Sequence, residues 1–249
     1  MSDLVLLIIA SFSAGVLNAV AGGGTFLTFP ALVYLGIPPV TANATATLTA
    51  LPGYFGSAWA FRRDIRSQGS LAIKSVLIVS VIGGLAGSLL LIMTTNEAFS
   101  GVVPWLLLVS TVLFAFGPAL TRNLNNRGFP PAGPLISGMA IIAVSIYGGY
   151  FNGGLGILLL ATFGLLGYTD MHAMNGLKTL LSAILSVTSA VTFIAAGLIA
   201  WKFAVPMAIA TAIGGYGGAE LSRKVKNTDY LRGFVVLVGA IMTVIFFAQ

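Results

Sequence analysis

Four long apolar runs decide what this chain can fold into: Leu71–Met93, Val102–Leu120, Gly176–Ala200 and Gly233–Phe247. Several approach or exceed the ~20 residues that an α-helix needs to cross the hydrocarbon core of a bilayer. Only 7% of the residues are charged, against roughly 25% in an ordinary soluble domain, so most of the surface cannot face water. A barrel would show ~10-residue alternating strands instead. The class expected is an all-α polytopic membrane protein.

The net charge of +6 is a topology signal, because the basic residues sit in short loops and form no continuous face for nucleic acid. With no cysteine in the chain, disulfides and thiolate metal sites are excluded, and no metal or cofactor is expected. The first apolar segment follows Asp3 and has no basic lead-in, so it is expected to be a retained helix and not a signal peptide.

Asn18-Ala-Val-Ala-Gly22-Gly23-Gly24-Thr25 interrupts that first segment, and Asn152-Gly153-Gly154-Leu155-Gly156 repeats the pattern in the second half. Glycine leaves a helix easily because it has no Cβ to hold it there. Inside a bilayer the freed N–H groups must face protein, water or a ligand. The segment after the first break, about Phe26 to Leu35, is too short to span at about 1.5 Å per residue, and Gly36-Ile-Pro38-Pro39 stops it. Longer segments follow at about Val40–Phe61, Leu71–Met93 and Val102–Leu120, then a polar connector from Thr121 to Pro134.

The order then repeats. Gly83-Gly84-Leu-Ala-Gly87 matches Gly214-Gly215-Tyr-Gly-Gly218, and Gly36 matches Gly167, at one offset of 131 residues. Asn43 and Asn175 agree within a residue of it. Basic residues set the orientation of the halves. Arg62, Arg63, Arg66 and Lys74 collect after the third segment of the first half, whereas the second half places Arg223, Lys224, Lys226 and Arg232 after its fourth. The positive-inside rule puts these non-equivalent loops on the same face, so the repeats are expected to have inverted topology, with about five membrane segments each. Residues 1–121 would form the first repeat, 122–133 a cytoplasmic connector and 134–249 the second repeat. The first two segments of each half make either two crossings or a re-entrant hairpin; both place the N- and C-termini in the periplasm.

Inverted repeats with paired broken segments point to a midplane site in secondary transporters. Half-helix N-termini present N–H groups and partial positive charge, which favour an anion. The expected substrate-binding set is Asn18, Gly22, Gly23, Gly24, Thr25 and Asn43 in the first half, with Asn152, Gly154, Gly156, Asn175 and Lys178 in the second. The four asparagines either contact ligand or bond between helices and cap the breaks. Lys178 lies inside an apolar segment, where it either pairs with the anion or snorkels to the interface. Gly83, Gly87, Gly214 and Gly218 are expected to serve close helix packing. The ladder Thr41, Thr45, Thr47 and Thr49 could line a path or bond its own helix. His172 either takes part in proton coupling or is a loop residue at a helix start, the second being expected, and Trp59, Trp105 and Trp201 are expected at interfaces.

The run Ala14-Gly-Val-Leu-Asn18…Gly22-Gly23-Gly24…Pro30-Ala-Leu-Val-Tyr-Leu-Gly36-Ile-Pro38…Ala42-Asn-Ala-Thr45 resembles the TauE/SafE family of sulfite exporters and sulfonate permeases. Gly149-Tyr-Phe-Asn152-Gly-Gly154-Leu-Gly156, His172-Ala-Met-Asn175-Gly-Leu-Lys178 and Ala195-Ala-Gly197-Leu-Ile-Ala-Trp201 extend that resemblance over nearly the whole chain. The first motif departs from it in continuing with Thr25 and Phe26. The resemblance implies transport of a sulfur oxyanion (sulfite, thiosulfate or an organosulfonate) across a bacterial inner membrane.

The resulting expectation is a secondary transporter working by alternating access, in the export direction. An anion channel, or an uptake permease for another small anion, is the alternative. An intramembrane enzyme is the weaker rival, since the chain has no HExxH pair, one histidine and no acidic pair deep in a segment. Expected partners are the substrate anion and the lipid bilayer, with room for a coupling ion (proton or sodium) and for a homo-oligomer.

Overall fold

The computed structural model describes residues 2–20, 23–126, 132–224 and 229–248. Ten helices and no strand occur among them: α1 Ser2–Val20, α2 Thr25–Tyr34, α3 Pro39–Ala60, α4 Ile73–Ile92, α5 Asn96–Asn126, α6 Pro134–Tyr150, α7 Leu155–Leu165, α8 Met171–Ala195, α9 Trp201–Lys224 and α10 Asp229–Phe247. Three stretches are long and apolar enough to cross a membrane: Ile73–Ile92, Asn96–Leu113 and His172–Ala195. α4 shows how such a helix is used. Ile78, Ile82, Leu85 and Leu89 are exposed on its outer side, while Val76, Ser80, Gly83, Gly84 and Gly87 are buried against the bundle.

Two boundaries differ from the sequence expectation. α5 runs on to Asn126, through the first part of the expected connector, because nothing between Thr121 and Asn126 is a helix breaker. The apolar run Gly176–Ala200 is broken after Ala195, where Gly197 takes φ +70 and ends α8.

Helix pairing is symmetric under exchange of α1–α5 with α6–α10. α1 packs on α9 as α6 packs on α4; α3 packs on α9 as α8 packs on α4; α5 packs on α7 as α10 packs on α2. The expected glycines make the crossings. A Cβ on Gly214 would strike Phe12 O, and one on Gly218 would lie 2.7 Å from Val16 Cα; on the other side Gly83 meets Ile142 O and Gly87 meets Ile146 O. Backbones touch there because no side chain intervenes.

These contacts also give direction. Phe12 and Val16 meet Gly214 and Gly218 in the same order, so α1 and α9 run parallel. Thr45 Oγ1 accepts from Ala200 N at 3.0 Å and Gly53 lies against Thr211, so α3 is parallel to α9 as well. The loop after α3 therefore lies at the same end as the C-terminus of α9. α8 runs opposite to α3, since Gly176 faces Asp64 while Ala183 clusters with Ala50 and Tyr54. α2 and α7, with 10 and 11 residues, are about half the length of a crossing.

At the end of α3 the two halves are tied by polar contacts. Arg66 pairs with Asp170, and Gln68 Oε1 accepts from Thr169 N and Asp170 N at 3.2 and 3.0 Å. Ser67 Oγ lies 2.9 Å from the Tyr168 hydroxyl. Asp170 also caps α8 by accepting from His172 N and Ala173 N. The Arg66 guanidinium, followed by Ala173 N, holds the Asp170 carboxyl below the usual carboxylate range. At the opposite end the matching region is apolar, with Leu35, Ile37, Leu198 and Ile199 joining an aromatic cluster of Phe29, Phe99, Phe151 and Phe246.

Candidate functional site

The two glycine breaks meet in the interior. Gly24 precedes α2 with its backbone against Ala14 O of α1, so close that a Cβ there would also press on the Asn18 side chain at 2.7 Å. Asn18 Oδ1 accepts from Gly24 N at 2.8 Å and so caps the broken end. Gly154 precedes α7 at φ +72, a left-handed conformation that favours glycine. Its missing Cβ would lie 2.7 Å from Ser110 Cβ and 3.4 Å from the ring of Phe26, in the first turn of α2.

Tyr54 of α3 links the breaks. Its hydroxyl donates to Asn152 Oδ1 at 3.3 Å and neighbours Thr25, while Asn152 Nδ2 donates to Ser186 Oγ of α8 at 2.9 Å. Gly153 O accepts from the Tyr147 hydroxyl at 2.6 Å and from Ser110 Oγ at 3.1 Å. Asn43 stands next to this cluster, its Nδ2 donating to Tyr150 O at 2.8 Å. The asparagines thus fulfil the capping and interhelical roles open to them, but incompletely. Asn18 Nδ2, Thr25 Oγ1 and Asn43 Oδ1 are buried with no hydrogen-bond partner among the described residues. Such groups cost roughly 1–3 kcal/mol each when left unmet.

Gly23 is buried and its carbonyl accepts from Phe26 N, and Gly156 is buried in the first turn of α7. Gly22 lies outside the described residues. The structure does not bring Lys178 to the breaks. It stands on the same α8 face as Ser186 but eight residues nearer the helix start, about 12 Å along the axis. At 2% exposure it does not snorkel, and its Nζ donates to Asn175 Oδ1 at 3.0 Å.

Sequence reasoning passed over Tyr54, Ser110, Tyr147 and Ser186. Tyr54 carried one usable signal: it is a bulky polar side chain in a segment otherwise rich in Ala and Thr. Within the threonine ladder, Thr49 bonds Ala46 O of its own helix and Thr45 holds Ala200 N. Neither is free to line a path. His172 is exposed in the first turn of α8, and Trp59, Trp105 and Trp201 are exposed.

Two half-length helices thus meet in the buried interior of a bundle with an apolar exterior. The description Sulfite exporter TauE/SafE matches residues 7–246 of the chain. The chain belongs to the TauE/SafE family. It is 29% identical to a probable membrane transporter protein of Haemophilus influenzae over 242 residues, covering 96% of this chain and 92% of that one. Likeness to the probable membrane transporter protein ORF9 of Sinorhizobium sp is 26%, with 97% and 91% covered. For the probable membrane transporter protein YfcA of Escherichia coli K12 it is 28%, with 96% and 87% covered. The chain is therefore a TauE/SafE membrane transporter for a small solute.

Proposed function

We infer that this transporter moves a small sulfur-containing oxyanion (sulfite, thiosulfate or an organosulfonate) outward across a bacterial inner membrane. The observation that carries the anion reading is the convergence of the α2 and α7 N-termini, with unpartnered donors from Asn18 and Thr25 beside them. N–H groups and helix dipoles at such ends favour negative charge. Sulfur and export rest on the family description.

Residues 1–121 and 134–249 act as inverted repeats joined by 122–133, rocking about the breaks in alternating access, with both termini periplasmic. Symmetric helix pairing and the opposed directions of α3 and α8 support this topology. Asn18, Gly23, Gly24, Thr25, Asn152, Gly154 and Gly156 line the central site in this reading. Asn43 stands beside it, and Asn175 and Lys178 lie on its Arg66 side along α8, where Lys178 supplies positive charge.

Flux into proteoliposomes tests the substrate, with sulfite, thiosulfate and methanesulfonate as probes. Saturable flux of at least one of them is expected; none for all three would sink the sulfur reading. Single cysteines at Arg66 and Lys224 test the topology, because the cysteine-free chain gives a clean background. Both are expected to label from the cytoplasm only.

A further inference from the structure

Between the Arg66 end and the breaks, one face of α8 carries Asn175, Lys178, Ser182, Ser186 and Ser189, each three or four residues from the next. That spacing lines them up on one side of the helix. The last two are engaged at the second break, Ser186 by Asn152 and Ser189 by Gly149 O. Ser182, one turn from Lys178, is 1% exposed and its hydroxyl has no partner among the described residues. Lys178 is the one charged side chain among the buried described residues, and among these no carboxylate pairs with it.

We propose that Lys178, Asn175 and Ser182 form a second anion subsite, on the Arg66 side of the breaks, that accepts one negative charge and so selects monoanions. This rests on the transport reading above. Among the described residues Lys178 Nζ has one amide partner, which leaves a buried cation under-compensated, and an anion would give both Nζ and Ser182 Oγ a partner. Helix dipoles do not add to the count here. Their influence falls off within the first turn of a helix, and Lys178 lies about 12 Å along α8 from the break. With Nζ protonated, the subsite therefore holds one full positive charge. A dianion would leave a net negative charge in the interior, whereas hydrogen sulfite or an alkylsulfonate would not.

The titratable groups on the elements packed against α8 do not alter this balance. Tyr54 lies on α3, Tyr147 and Tyr150 on α6, and exposed Lys74 at the start of α4; α7 has none. Of the carboxylates at this end, Asp64 turns its backbone to Gly176 and Asp170 is held by Arg66. His172 is exposed.

The test uses the whole purified chain in proteoliposomes. Uptake of labelled methanesulfonate, whose charge is fixed, is competed by sulfite at a series of pH values and by thiosulfate. If the subsite selects monoanions, the potency of total sulfite falls about tenfold per pH unit once the second ionisation is passed, and thiosulfate competes weakly throughout. Lys178→Arg keeps this profile and Lys178→Met loses it. Sulfite potency that is flat or rising with pH, or thiosulfate competing as well as hydrogen sulfite, overturns the charge rule while leaving sulfur transport standing. Absence of flux for every sulfur anion overturns both. The wild-type pH series decides the matter even where Lys178→Met fails to fold.

Discussion

The two glycine breaks occupy equivalent places in the two halves but use their polar groups differently. At the second break the Asn152 amide joins α3 to α8, Gly153 O accepts two hydroxyls, and Gly154 turns the chain through a left-handed conformation. Among the described residues the first break is capped by Asn18 Oδ1 on Gly24 N, and keeps Asn18 Nδ2 and Thr25 Oγ1 unspent. Equal sequence patterns have thus come to unequal work. The second break is tied on both sides, and the first keeps hydrogen-bonding capacity unspent.

Substitutions at the two breaks separate these roles. Gly154→Ala is expected to be the most damaging, because a left-handed alanine costs roughly 1–2 kcal/mol and pressing a Cβ on Ser110 adds about 1–3 kcal/mol. Thermal unfolding in detergent reads this as a large fall in Tm; an unchanged Tm would mean the second break is not rigid. Asn152→Ala comes next. It strips Tyr54 and Ser186 of their shared partner, at about 2 kcal/mol, and Tyr54→Phe in the same background should then cost little more. Thr25→Val has the smallest effect on stability, near zero or slightly favourable, since it removes a buried hydroxyl that bonds nothing among the described residues. Its effect belongs to transport, where apparent affinity for the anion drops about tenfold, the worth of one hydrogen bond of ~1.4 kcal/mol. Wild-type affinity in Thr25→Val would remove the first break from the ligand-facing wall.

Much of the architecture was legible in the chain. Helix number, the short segments after each break and the packing role of Gly83, Gly87, Gly214 and Gly218 follow from apolar runs, glycines and prolines, all of them local signals. What escaped depends on contacts between the halves. Nothing near Tyr54 in sequence says that its hydroxyl meets Asn152, because the antiparallel passage of α3 and α8 creates that meeting. Lys178 was recognised as an intramembrane charge but assigned to the breaks. Its distance from them follows from the eight residues of continuous helix between Lys178 and Ser186, the residue that Asn152 holds. Helix ends misled where composition is bland: Thr121–Asn126 is polar but helix-tolerant, and Gly197 stops α8 within a run that hydropathy alone reads as continuous.

The backbone crossings carry a consequence for biosynthesis. α1 finds its tight partner in α9, through Gly214 and Gly218 against Phe12 and Val16. A nascent chain inserts α1 long before α9 leaves the ribosome. Until then Ser11 and Asn18, both buried in the finished bundle, must wait in the bilayer without their final surroundings. The halves interlock late, and a first half expressed alone would expose the face that α9 covers. This long-range closure makes assembly slow and concentrates misfolding risk in the interval before the ninth helix arrives.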